Sequence, residues 1–214
     1  MGSEDYFSAI IAQQYMVGSQ EAVDFFEALR KELRERTENG TGVIKDEKYR
    51  LMFMGIPPWF NLGIFNYLEG YGAISVIEAS YFLGKPVEVD VSKPLEALAE
   101  RAWLRCQWLH ENGSEALPEI CSTAVSIGTV IPSALIRKWV EEYSLDGALM
   151  HSTRSCRSSS FGQIHSRNVL NQIGIPSLIF ESDMADPRLW SDAHIKMQMN
   201  AFIDTMAARK EQRE

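Results

Sequence analysis

Leu145-Asp-Gly-Ala-Leu-Met150, running on into His151-Ser-Thr-Arg-Ser-Cys-Arg-Ser-Ser-Ser-Phe-Gly-Gln-Ile-His165, decides the fold. Leu145 to Met150 is short and apolar enough for a buried strand, and Phe161 to Ile173 reads as a helix. Cys156 then lies in a strand-to-helix loop. In open α/β folds such loops gather on the carboxyl edge of the sheet, where ligands bind. A helix start at that edge offers unpaired N–H groups and a partial positive charge that favour a thiolate. Cys156 is therefore a candidate ligand or nucleophile.

The same unit recurs on either side. Tyr49–Met54 reads as a strand entering Gly55-Ile-Pro-Pro-Trp-Phe-Asn-Leu-Gly63, with Leu62, Ile64, Phe65 and Leu68 then at helical spacing. Gly70-Tyr-Gly72 ends that helix and Ala73–Glu78 gives a second strand; the helix, about ten residues, suits a right-handed parallel crossover. Ser177–Glu181 is a further strand, and a last helix starts at Ser191-Asp192 with Ile195, Met199, Phe202 and Met206 as its core stripe. Ahead of these units, Asp5–Glu38 reads as two helices parted at Gly18-Ser19, the second capped by Ser19. Its charged end, Leu29–Glu38, is a solvated face with i,i+4 pairs. This opening pair has no sheet of its own to cover. Between the second and third strands, Lys85–Val91 carries no clear pattern. A helix starts at Ser92-Lys-Pro94 with Leu95 and Leu98 on its apolar side and Cys106 inside it, and another runs from Ser122 or Val125 to Tyr143 with a kink or break at Pro132. The expected fold is α/β: a small four-stranded parallel, Rossmann-like and doubly wound sheet, with an N-terminal helical arm and a helical insertion. Residues 1–45 are the linker or docking arm and 46–214 the α/β domain.

A chain of 214 residues with 45% hydrophobic and 23% charged residues can bury one good core. Its net charge of -8 argues against a phosphate-backbone partner, so no nucleic acid is expected. No apolar run approaches bilayer length and no signal pattern opens the chain, which points to a cytoplasmic protein without a membrane partner. Its three cysteines, Cys106, Cys121 and Cys156, are widely spaced with no C-x-x-C pair. That fits a reducing compartment and speaks against a disulfide framework or a self-contained zinc site.

Cys156 has three readings. As a nucleophile it needs a base, which His151 or His165 could supply. As a ligand, its thiolate suits iron–sulfur or zinc. Otherwise it is a buried, inert cysteine, although Arg154, Arg157 and the surrounding serines are odd company for a core. A phosphatase loop is excluded, because Gly162 stands where its arginine belongs. The Gly55–Asn61 loop lacks the glycine spacing and lysine of nucleotide sites, leaving a rigid turn or a pocket wall. Glu181 and Asp183 could act as acid or base groups, whereas Asp186-Pro187 reads as turn and cap chemistry.

Taken together, Gly55-Ile-Pro-Pro-Trp-Phe-Asn-Leu-Gly63, His151-Ser-Thr-Arg-Ser-Cys-Arg157 with Ser160-Phe-Gly-Gln163, and Gly174-Ile-Pro-Ser-Leu-Ile-Phe-Glu-Ser-Asp183 followed by Asp186-Pro-Arg188 resemble the 2-hydroxyacyl-CoA dehydratase and benzoyl-CoA reductase family. The resemblance implies a subunit acting on a CoA thioester by one-electron chemistry, either ketyl-radical dehydration or ring reduction, with an ATP-hydrolysing iron–sulfur activator as electron donor. It also implies a [4Fe–4S] cluster, with Cys156 matching one cysteine ligand and the other ligands absent from this chain. A missing N-terminal domain or complementary subunit would supply them. The same stretches furnish the candidate substrate-binding residues Pro57, Trp59, Asn61, Arg154, Ser160, Gln163, Glu181 and Asp183, with Cys156 as metal ligand and no catalytic residue named. Two other readings stand beside this one: a binding or assembly domain inactive without its partner half, and a cysteine-dependent hydrolase.

Overall fold

A computed structural model describes residues 1–16, 18–79, 90–100, 103–104, 131 and 133–212. At its centre lies β1 (Tyr49–Met54), with Leu51 and Phe53 buried on one face and Met52 and Met54 on the other. A strand covered on both sides reads as a continuous apolar run, the signature of a parallel sheet interior. β2 (Ala73–Glu78), β3 (Gly147–Thr153) and β4 (Ser177–Ser182) complete a four-stranded sheet in the order β2-β1-β3-β4, and every neighbouring pair is parallel. The expected doubly wound α/β architecture is thus present.

Two cores sandwich the sheet. On one face, Leu135, Ile136 and Trp139 of one helix (Ser133–Glu142) and Val169 and Leu170 of another (Gln163–Gln172) pack against Met52, Met54, Ala148 and Met150. On the other, Ile64, Phe65 and Leu68 of α3 (Gly63–Glu69) join Ile195, Met199, Phe202 and Met206 of the last helix (Asp192–Glu211) against Leu51, Phe53, Leu149 and Phe180. Among the described residues, the helices include, in chain order, α1 (Ser3–Tyr15), α2 (Gln20–Glu38), α3, α4 (Ser133–Glu142), α5 (Arg157–Ser160), α6 (Gln163–Gln172) and α7 (Asp192–Glu211). Gly147 lets α7 close on β3, since a Cβ there would sit 2.7 Å from Met206 Sδ and 2.8 Å from Phe202 Cζ. Among the described residues, no helix is long and apolar enough to cross a membrane.

Several expectations need correction. β3 starts at Gly147 and runs to Thr153, so His151, Ser152 and Thr153 belong to the strand; they pair with Phe180, Glu181 and Ser182 of β4, and the ladder satisfies their polar backbone. The helix expected over Phe161–Ile173 is present as α6, and a separate short turn, α5, precedes it at Arg157–Ser160. In that turn, serine hydroxyls compete for backbone partners: Ser159 Oγ donates to Cys156 O at 2.9 Å, and Ser160 Oγ accepts from Thr153 N at 3.0 Å. α3 has seven residues rather than about ten. The opening helices also differ from one another. Ser19 caps α2 as expected, accepting from Ala22 N at 3.1 Å, and Ala22 is the one buried residue of α2. α1, however, covers part of the sheet: Phe7 is fully buried in the α3–α7 core, and Ser3 Oγ bonds Ser75 Oγ of β2 at 2.7 Å. In the helical stretch 94–100, Leu95 and Leu98 are exposed rather than core. Cys106, Cys121, Pro132 and the unassigned Lys85 to Val89 lie outside the described residues.

Candidate functional site

β1 and β3 lie side by side at the centre of the sheet, and their crossover helices leave on opposite faces, α3 with one core and α6 with the other. Between two such strands the outgoing loops diverge, and the carboxyl edge opens a crevice where open α/β sheets bind ligands. The Gly55–Leu62 and Arg154–Cys156 segments leave the carboxyl ends of β1 and β3 at this edge, and the loop after β4 meets the first of them.

These segments are stitched together by hydrogen bonds between residues far apart in sequence. His151, fully buried in β3, faces the Ile56 carbonyl with Nδ1, and its Nε2 lies 2.7 Å from Ser182 Oγ of β4. Its ring stacks on Phe180 at 4.8 Å. Burial holds its pKa below the ordinary histidine value, against the opposing pull of the Ile56 carbonyl and the Asp183 charge. The His151 carbonyl accepts from Gln163 Nε2 at 2.7 Å. It also presses on Gly55, whose φ is +104° and where a Cβ would meet that oxygen at 2.5 Å, so only glycine fits. Trp59 N donates to Met184 O at 3.0 Å, joining the loops after β1 and β4.

Asp183 is a buried organiser. Its carboxylate accepts from Ser155 N, Ala185 N and Asp186 N at 3.0, 3.0 and 3.1 Å, tying the Cys156 loop to the loop after β4. The Ser155 side chain, followed by the Ala185 N–H, holds its carboxyl far below the usual carboxylate range. Glu181 instead stands exposed in an ion pair with Arg154, Nε to Oε1 at 2.7 Å. Asp186 caps the short helical turn Pro187–Leu189 and grips Arg188, as its cap reading anticipates.

Cys156 is half-buried at the start of α5, with Sγ 3.2 Å from Ser158 Oγ. The Ser158 hydroxyl, then the Ser159 N–H, lower its thiol pKa below the ordinary value. Neither candidate base serves it. Both ring nitrogens of His151 have other partners, and His165 Nε2 pairs with Ser133 Oγ at 3.2 Å.

The structure gathers the sequence candidates at one edge but sorts them by direction. Gln163, Ser160 and Asp183 point inward and hold the loops; Pro57 is buried. Trp59, Arg154 and Glu181 are exposed, and Asn61 is half-buried with Oδ1 beside Gly63. Sequence reasoning missed two participants. It offers His151 only as a base, and Phe7, assigned to an arm, backs Trp59 edge-on at 5.6 Å. A histidine that directly continues an apolar strand run was the available signal for His151; nothing local signalled Phe7.

Fold and edge define a doubly wound α/β domain with a thiol beside its topological switch point. The family described as 2-hydroxyglutaryl-CoA dehydratase, D-component, matches residues 1–206, and the chain belongs to that family. It is 28% identical to a benzoyl-CoA reductase subunit of Thauera aromatica over 90% of this chain and 43% of that protein. It is 26% identical to the alpha subunit of (R)-2-hydroxyglutaryl-CoA dehydratase of Acidaminococcus fermentans, over 92% of this chain and 37% of that one. With the alpha subunit of (R)-phenyllactyl-CoA dehydratase of Clostridium sporogenes it shares 27% identity over 97% of this chain and 46% of that one. The chain spans less than half the length of each of these curated relatives.

Proposed function

We propose that the chain contributes the C-terminal α/β domain, residues 46–214 with α1 packed on its sheet, of a subunit of a cytoplasmic acyl-CoA dehydratase or benzoyl-CoA reductase, with the exposed α2 as a docking element. A CoA thioester would enter the switch-point crevice. Trp59 offers it an apolar wall backed by Phe7, and Asn61 and Arg154 offer polar contacts at the rim. Cys156 would be one ligand of a [4Fe–4S] cluster, a group that supplies single electrons when reduced by an ATP-driven activator.

The chemistry of the donor set fits that group in part. The Ser158 hydroxyl favours the thiolate that an iron ligand must be, and the thiol stands at the rim of the crevice rather than in the core. Among the described residues, however, no group of three or more His, Cys, Asp or Glu side chains is placed to hold a metal ion. In this reading the remaining ligands come from a segment outside the described residues or from another polypeptide, and the domain's own work is to bind and orient the thioester, exclude water and present one thiolate. Phe161 and Ile164, 77% and 62% exposed next to the Cys156 turn, are apolar surface that such a segment would cover.

The observation that carries this reading is Cys156 at the switch point of a chain belonging to this family. Its test is anaerobic co-expression with a cysteine-bearing polypeptide of the same family. A co-purifying brown complex whose iron is lost on Cys156→Ser is expected; a complex with full iron in that variant removes Cys156 from the ligand set. A complex that forms without iron in either case leaves the assembly-domain reading, inactive in electron transfer, as the correct one.

A further inference from the structure

We propose that His151 is the positioning residue of the carboxyl edge: its ring, protonated on Nδ1 and open on Nε2, holds the Gly55–Asn61 loop and β4 in register with the strand that carries the Cys156 loop. The Ile56 carbonyl can only accept, so Nδ1 carries the proton that meets it. Ser182 Oγ then donates to Nε2 across 2.7 Å. The backbone of the same residue takes part as well, its carbonyl accepting from Gln163 Nε2 of α6 while leaving no room for a Cβ on Gly55. One residue therefore joins the β1 loop, α6 and β4 at the point where the crevice opens.

An apolar residue would fill the same volume at lower desolvation cost. A histidine there instead fixes direction, because its two ring nitrogens meet different segments, the loop after β1 and the end of β4. The charged groups that face the ring are few: Asp183 acts on it through space, and Thr153, Ser182 and Phe180, its other neighbours, carry no charge. Beyond the ring, Thr153 O accepts from Cys156 N at 3.3 Å, so the strand that His151 anchors also sets the start of the cysteine turn. The role concerns loop geometry in the chain itself and holds whether or not a cluster is bound.

The test combines a spectroscopic signature with local hydrogen exchange on the full chain. Long-range nitrogen–proton spectra at pH 7 are expected to show His151 as the Nδ1–H tautomer; an Nε2–H tautomer or an imidazolium overturns the proposal. In His151→Phe, the amides of Trp59, Arg154 and Ser155, which close the edge, are expected to exchange at least about tenfold faster while the α7 amides keep their protection. His151→Asn, which restores a donor toward Ile56, is expected to return the Trp59 amide to within about threefold of the parent. Acceleration that is uniform across α7 and the edge marks a merely structural residue and overturns the proposal. Should His151→Phe fail to fold, Ser182→Ala removes the Nε2 partner together with the long 3.4 Å contact of that hydroxyl to Asp183 O, and unchanged edge exchange in that variant overturns the proposal.

Discussion

The carboxyl edge and α2 are both rich in polar side chains, yet they use them differently. Along α2, Lys31 pairs with Glu35, Arg36 with Glu32 and Gln20 with Asp24, all one helical turn apart and all in water. At the edge, Ser155 meets Asp183, Arg154 meets Glu181, and His151 meets Ile56 and Ser182, across 27 to 95 positions of chain. Local pairs of the first kind are a by-product of keeping a helix soluble and contribute little. Long-range pairs cost loop closure to form, and most of those at the edge are half or fully buried, so each one fixes the position of a loop. Polarity that organises a site is thus recognised by its sequence separation and burial rather than by its density.

Substitutions can break that contrast, beginning with the largest expected effect. Gly55→Ala forces an alanine to adopt φ of +104° and drives its Cβ onto the His151 carbonyl. It should lower the unfolding free energy by roughly 2–4 kcal/mol in urea titration; a loss no larger than that of a surface substitution would deny the close packing of these strands. Asp183→Asn should follow. The folded-state pKa of Asp183 is depressed, so its contribution is present above the unfolded carboxylate value and is lost as pH falls. The variant should be the weaker protein at pH 7, and its urea midpoint should converge on the parent's in acid.

Glu4, in α1 and outside both regions, behaves in the opposite sense. Burial, then hydrogen bonding to Glu69 of α3, raises its pKa to about 7, and one oxygen of each carboxyl is buried without a donor. The folded chain keeps a proton that the unfolded chain has already released, so this contribution is full below the unfolded carboxylate value and is lost as pH rises through about 7. Between pH 5 and 8 the parent's Tm should fall, and Glu4→Gln, with a permanent donor, should fall less; parallel curves would sink the idea of a shared proton. Smallest of all, Arg36→Gln on α2 should change stability by less than about 0.5 kcal/mol, since both partners of its ion pair are half-exposed.

How far the sequence discloses these features follows from their range. β1 and β2 are legible to the residue because apolar runs bounded by glycine and proline are local signals. α7 is legible through the spacing of Ile195, Met199, Phe202 and Met206, all buried. The end of β3 is not, because His151-Ser-Thr153 looks like a polar loop until β4 is beside it to pair with. The site is legible as a place, the gathering of the strand-end loops at one edge, but not as a set of directions. Ser160, Gln163 and Asp183 are ordinary polar residues in sequence, and only the folded backbone shows that they face inward while Arg154 and Glu181 face water.

Cys156 places one thiol at this edge, its pKa lowered by the Ser158 hydroxyl, and the most direct measurement asks whether it can hold iron alone. Anaerobic reconstitution of the isolated chain with iron and sulfide, followed by desalting and iron analysis, should leave well under about one iron per chain. Retention of roughly four iron per chain, abolished by Cys156→Ser, would contradict the reading of this domain as part of a shared cluster site.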